Sequence, residues 1–250
     1  VTRAATVPGT HEWTTEETRI LVQAARWVPG QWLDGEWPLE VRGDGVDVVE
    51  RPGSDGRGRH LAYGALLVHL EAAMRALGWL PEIEFADDHT ESNRILRITA
   101  ASRKRPGADD LAWFAAMSGR ATYSCPGGPV LTSDEEPVDG VRVKALSPRQ
   151  IRAVPKVGAA IARAIAPPDE DLDDSWSAFL VTTVSEARQH LLRAGSVAQR
   201  IRLLATEFGL RCTTVTEPFD SPKVRVSSFG LAGAPGIPQL VVGVHHARLR

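Results

Sequence analysis

The stretch Leu61-Ala62-Tyr63-Gly64, running on to Leu77-Gly78-Trp79, aligns without a gap on Leu192-Arg193-Ala194-Gly195, running on to Phe208-Gly209-Leu210. The offset is 131 residues throughout, as from Gly64 to Gly195. Both copies read as an apolar helix that begins near one glycine and stops at another, where a glycine can take the left-handed conformation of a helix end. Extended segments follow each helix: Glu82–Phe85 and Ile95–Ala100 after the first, Arg211–Glu217 and Gln239–Val244 after the second. Solenoid units run to roughly 20–50 residues, so this period is not a solenoid repeat. It suggests one fold duplicated and fused, with any ligand of such a dimer-like body held between the halves. The halves are expected at residues 1–101 and 110–250, joined by the basic, Pro-Gly-containing segment 102–109.

The 250 residues carry a net charge of −2, with a sequence pI near 6.4. A phosphate-binding surface leaves a basic footprint, so this balance argues against nucleic acid as a main partner. A chain of this length buries enough surface to fold without disulfides or metal. Cys125 and Cys212 have neither CxxC nor Cys/His spacing, and no metal site is expected. No run approaches the roughly 20 apolar residues of a membrane span. Val1–Thr10 has one charge and no apolar segment, unlike a secretory signal. The expectation is a cytoplasmic protein without membrane contact.

Val1–His11 reads as a loose leader. Thr14-Thr15-Glu16-Glu17 has the hydroxyls and acids of a helix start, and Pro29-Gly30 a stop. Trp37–Val41 and Val46–Glu50 flank Gly43-Asp44-Gly45, a hairpin signature. Arg51–Arg59 is a polar, Gly-rich loop, followed by a helix over Leu61–Leu77. Leu111–Met117 is a short helix, Tyr123–Pro137 a surface loop, and Val141–Leu146 a strand. Pro148–Ala166 forms helix interrupted at Pro155, Pro167–Asp174 a solvated linker, and Phe179–Thr183 a buried strand. Helices and strands mix without a βαβ rhythm, which favours α+β.

Several strings then resemble one family. Leu191-Leu192-Arg193-Ala194-Gly195, Phe208-Gly209-Leu210, Glu217-Pro218-Phe219-Asp220-Ser221-Pro222 and Pro235-Gly236-Ile237-Pro238-Gln239-Leu240 are similar to the C-terminal half of Acg-type nitroreductase-like proteins. Ala25-Arg26-Trp27-Val28-Pro29, the strand from Trp37, and Tyr63-Gly64-Ala65-Leu66 resemble the N-terminal half. The resemblance implies an α+β fold, an antiparallel sheet flanked by helices, with FMN at a dimer-like interface. It implies two-electron reduction of nitro groups or quinones by NAD(P)H. The flavin would carry the chemistry and the protein would bind and orient it, so no side-chain nucleophile is expected.

For the cofactor, the resemblance implies Arg120 and Thr122, in Gly119-Arg120-Ala121-Thr122-Tyr123-Ser124, with Arg248, Gly236 and Gln239. Arginine suits a phosphate because its planar fork bonds bidentately. Each candidate has a plainer reading. Arg120 is also a helix-end cation facing solvent, Arg248 a solvated terminal residue, and Pro235–Pro238 a tight turn. Trp27, Trp32 and Trp37 form either an aromatic wall or core packing. His60 and His69 fall on different helix faces, and the adjacent His245 and His246 point to opposite sides of a strand. Gly30, Leu33 and Gly35 stand where the family has Ser, Asn and Gln. The alternative is therefore a degenerate, non-catalytic member that sequesters flavin or another flat ligand, or acts as a partner protein. A fused pair supplies both sides of its own interface, so no homodimer is required for the central cleft.

Overall fold

The computed structural model describes residues 11–29, 37–50, 56–86, 93–119, 139–153, 155–165, 176–228 and 235–246. The first helix, α1 (Thr15–Arg26), starts with a reciprocal cap. The Glu17 N–H donates to Thr14 Oγ1 at 3.2 Å and the Thr14 N–H to Glu17 Oε2 at 3.0 Å. Strands β1 (Leu39–Arg42) and β2 (Gly45–Val49) then form a hairpin in which Arg42 faces Gly45. Its two-residue turn is Gly43-Asp44, and the positive φ of +56° falls on Gly43. The long helix α2 (Arg57–Ala76) leads into β3 (Trp79–Phe85) and β4 (Arg94–Arg103), and α3 (Ala108–Met117) follows.

The second part runs β5 (Val141–Leu146), α4 (Pro148–Ala153), α5 (Pro155–Ile165), β6 (Trp176–Thr183), α6 (Arg188–Glu207) and β7 (Leu210–Val215). A 3-10 turn (Glu217–Asp220), α7 (Pro222–Ser227) and β8 (Ile237–His246) complete it. The architecture is α+β: two four-stranded antiparallel sheets flanked by helices, ordered β1-β2-β4-β3 and β5-β6-β8-β7. In both, the long helix joins the second strand to the third. In both, the central strand pair carries a bulge, which leaves Ile95 of β4 and Gln239 of β8 out of the ladder.

The two long helices cross at their glycines. A Cβ on Gly64 would lie 1.9 Å from the Leu192 carbonyl oxygen, and one on Gly195 would lie 1.9 Å from that of Leu61. The contact is reciprocal: each glycine receives the carbonyl three residues before its counterpart. Ser196 Oγ donates to the Gly64 carbonyl at 2.9 Å and to Leu192 O at 3.1 Å. Gly78 and Gly209 then end the two helices with φ of +84° and +69°, and their N–H groups return to Arg75 O and Thr206 O.

One apolar core runs through both parts, from Leu61, Leu66 and Ile98 to Leu192, Val181 and Val242. Helix α2 is buried on all sides from His60 to Met74. Alternate residues of β6 and β8 enter this core (Phe179, Val181, Leu240, Val242), while Ala178, Leu180 and Val241 enter a second core with Ile151, Val157, Phe219 and Val224. The second sheet is thus covered on both faces. The outer face of the first is polar, where Arg97 holds Asp47 at 2.9 Å and Asp44 at 3.3 Å.

Several local expectations shift. Helix α2 begins at Arg57, inside the segment read as a loop, because Arg57 is anchored by distant residues. His11, placed in the leader, sits 4.1 Å from the Trp79 ring and 3.2 Å from Glu17. The segment read as strand to Glu217 ends at Val215, since Pro218 lacks the N–H a ladder needs and the chain turns. The expected loop 123–137 and linker 167–174 lie outside the described residues.

His69 is a core residue. Its Nδ1 lies 2.9 Å from the Ala24 carbonyl and its Nε2 lies 2.8 Å from Gln199 Nε2. This set is satisfied by a neutral ring that donates from Nδ1 and accepts at Nε2. Burial pushes its pKa down from 6.5 to about 4; the Arg202 charge adds to this and the Ala24 bond opposes it.

Two predictions follow from this seam. Alanine in a helix ordinarily gains up to about 1 kcal/mol over glycine. Gly64→Ala and Gly195→Ala should instead each cost about 3 kcal/mol or more, because backbone cannot retreat as a side chain can. Gly58, with nothing within 4 Å of its Cβ position, is the control and should be neutral or stabilising as alanine. Urea unfolding reads all three, and equal effects at 58 and 64 would refute the close contact.

The second concerns pH. With its folded pKa depressed, His69 favours the fold fully above the unfolded value of 6.5, and that contribution is lost as pH falls toward about 4. The swing is at most about 3 kcal/mol at roughly 1.36 kcal/mol per pKa unit. Unfolding free energies measured across this window should fall more steeply for wild type than for His69→Asn.

Candidate functional site

The described candidate residues meet at the bulge in β8. Gln239 is fully buried and lies outside the regular register between Val181↔Leu240 and Thr182↔Pro238. Its side-chain amide donates to Thr183 Oγ1 at 2.9 Å. Its carbonyl oxygen accepts from Arg57 Nη1 at 2.6 Å, and its Oε1 lies 3.3 Å from the same nitrogen. Arg57 Nη2 donates to the Thr216 carbonyl at 3.1 Å and to Asp220 Oδ1 at 2.5 Å. The first residue of α2 thereby ties together β8, the end of β7 and the 3-10 turn.

A second guanidinium lies beside the first. Arg225 Nη1 donates to Phe219 O at 2.5 Å, and Arg225 Nε sits 2.9 Å from Glu186 Oε1. Burial is the largest influence on Arg57 and lowers its pKa; Arg225 lowers it further, while Asp220 and Glu186 raise it. The Arg57 side chain is 12% exposed, and its Nε has no hydrogen-bond partner among the described residues. Two arginines and two carboxylates thus form a nearly neutral junction built chiefly from backbone carbonyls.

Gly236 lies at the entry to β8 with φ +113°. A Cβ there would meet the Thr183 carbonyl oxygen at 2.8 Å, and Thr182 Oγ1 donates to Pro235 O at 3.0 Å. The segment is seated on β6. Gly236 and Gln239 therefore lie in one place, while Arg120, Thr122 and Arg248 lie outside the described residues. Sequence reading missed Arg57, Asp220 and Arg225. Asp220 falls inside the Glu217–Pro222 string, which was the available signal; Arg57 has none, because its partners are 159 to 182 positions away.

An FMN site needs a phosphate anchor and an open ring face. Here both guanidiniums are engaged by the chain's own acceptors, the Gln239 amide is turned inward, and the Gly236 backbone is covered by β6. The described residues do not by themselves make a flavin cradle. Other candidates are also used separately. Trp27 packs edge-on to Phe114 at 5.5 Å, and Trp37 lies 6.3 Å from Tyr63; Trp32 lies outside the described residues. Burial pushes the Cys212 thiol up to about 12, so it stays protonated at neutral pH. Among the described residues no group of three His, Cys, Asp or Glu could hold a metal ion, and no helix is long and apolar enough to cross a membrane.

Replacing Arg57 by methionine should cost about 3 kcal/mol, because it strands the carbonyls of the buried Gln239 and the half-buried Thr216. Asp220, 62% exposed, should cost about 1 kcal/mol or less as asparagine, since solvent screens it. Denaturant midpoints test both. Equal small effects would mean that the junction does not hold the two parts together.

No family model matches the chain. It is similar to two proteins of Mycobacterium tuberculosis, each named "Putative NAD(P)H nitroreductase", one from strain CDC 1551 / Oshkosh and one from strain H37Rv. Each is 24% identical over 303 aligned positions, covering 94% of this chain and 86% of the relative. That alignment is longer than the chain's 250 residues, so part of each relative has no counterpart here.

Proposed function

We propose that this chain is a nitroreductase-like oxidoreductase that takes reducing equivalents from NAD(P)H through bound FMN. The observation that carries this reading is the similarity, across 94% of the chain, to proteins named for that activity. The repeated strand order on either side of α2 and α6 supports a body of two equivalent halves, 1–101 and 110–250, made by duplication. In this proposal the flavin lies between the halves and no second chain is needed to complete its cleft. Its phosphate is held from Arg120, Thr122 and Arg248. Gly236 borders the adjoining wall, and the buried Gln239, its backbone fixed by Arg57, supports it from behind. The substrate is a small electron acceptor such as a nitroaromatic or a quinone.

A second reading is favoured by specific residues. Gly30, Leu33 and Gly35 carry no side-chain hydrogen bonds to offer, and the Gln239 amide is already occupied. A chain with these features suits holding a flat ligand without turning it over.

The purified protein should show flavin absorption bands, or acquire them when FMN is added. It should then oxidise NADH or NADPH in the presence of a nitroaromatic acceptor. Arg120→Ala should weaken FMN binding by about tenfold or more, the value of one charge-assisted bond of roughly 1.5–3 kcal/mol. FMN bound without NAD(P)H oxidation supports the non-catalytic reading. Failure to bind FMN even at millimolar concentration removes the flavin from both.

A further inference from the structure

A cleft of about 210 Å³ opens between α2, α3 and α6, away from the Gln239 junction. Its apolar lining is Val68 and Ala72 of α2 with the half-buried Trp113 of α3. Its charged groups divide into two kinds. Glu71 is buried and paired to Arg200 at 2.8 Å, so this pair satisfies itself. Arg75 and Asp109 also line the cleft, and among the described residues neither side chain makes a hydrogen bond or ion pair. The remaining carboxylate, Asp110, already accepts from the Gly107 N–H at 2.9 Å. The groups without any partner among the described residues are therefore one guanidinium and one carboxylate, with an aromatic and aliphatic wall in the same cleft.

We infer that this cleft binds a small zwitterion, an α-amino acid with an apolar side chain. The guanidinium of Arg75 matches the ligand carboxylate with a planar, bidentate donor pair. Asp109, in the first turn of α3, matches the ammonium group. The side chain of the ligand covers Val68, Ala72 and Trp113. At about 30 Å³ of liquid volume per water, the space equals that of about seven waters, room for a small ligand whose side chain lies along the open wall of the cleft. A simple anion would leave Asp109 opposing it, and a simple amine would leave Arg75 opposing it. This inference is independent of the oxidoreductase reading, because it uses no residue of that site.

The test is calorimetric titration of the full chain with L-leucine and L-phenylalanine, beside 4-methylpentanoate and 3-methylbutylamine, which each lack one charge. At least one amino acid should bind, and the analogues should bind at least tenfold more weakly. Arg75→Gln should cost the amino acid about tenfold without weakening the amine; Asp109→Asn should cost the amino acid about tenfold without weakening the carboxylate. Both side chains are at the surface, so unchanged melting temperatures without ligand verify folding. Absence of binding by either amino acid at tens of millimolar overturns the proposal. So does binding that both variants leave intact, or analogues that bind as well as the amino acids.

Discussion

Backbone against backbone at Gly64 and Gly195 is the constraint on which the rest of the structure depends. Only residues without a Cβ let α2 and α6 approach so that each carbonyl lies against the other helix's α-carbon. Such contacts add weak Cα–H···O attraction, but their main effect is distance. Once the helices are that close, the other cross-helix pairs can form in one line along the seam. Ser196 reaches the Gly64 carbonyl, Gln199 reaches His69, and Arg200 reaches Glu71. A helix enclosed in this way has no solvent stripe, so α2 is buried around its whole circumference from His60 to Met74, and its buried polar residues His69 and Glu71 find partners on α6.

The two sheets share a strand order but not an environment. The first turns a charged face outward through Arg97 and Asp47; the second buries its outer face under α4, α5 and α7. The difference arises at two connections: α4 and α5 stand between β5 and β6, where the first sheet has a two-residue turn, and a 3-10 turn and α7 stand between the last two strands, where the first has only residues 86–93. The second of these insertions supplies Asp220 and Arg225, and Arg57 crosses to meet it. The candidate site therefore lies where the two parts are least alike.

Much of the fold was legible in the sequence. Gly78 and Gly209 were readable as helix ends, Thr14 and Glu17 as a helix start, and the break before Pro155 as an interruption, since each acts through its immediate neighbours. The β5 strand, Val141–Leu146, was read to the residue because the turn at Asp139-Gly140 and the helix start at Ser147-Pro148 bound it. The start of α2 was not legible. Gly56-Arg57-Gly58-Arg59 has the composition of a loop, and long-range bonds from Arg57 override that local preference. The candidate site was legible only in part for the same reason. Gly236 and Gln239 stood out within a recognisable string, whereas their structural meaning comes from Thr183 and Arg57, which no spacing rule connects to them.

The helix seam also bears on the order in which the chain acquires its structure. The partners Leu61 and Gly195 are separated by most of the sequence, so their contact closes a long loop. During synthesis, α2 emerges well before α6 and presents an apolar surface with nothing yet to cover one side of it. The first sheet and α1 shield part of that surface, but the strip around Gly64 stays open until residues near 207 have left the ribosome. The nascent N-terminal part is thus an obligate waiting state, exposed to association with other chains. The glycine that makes the finished body tight is the same one that keeps half of it unfinished until late.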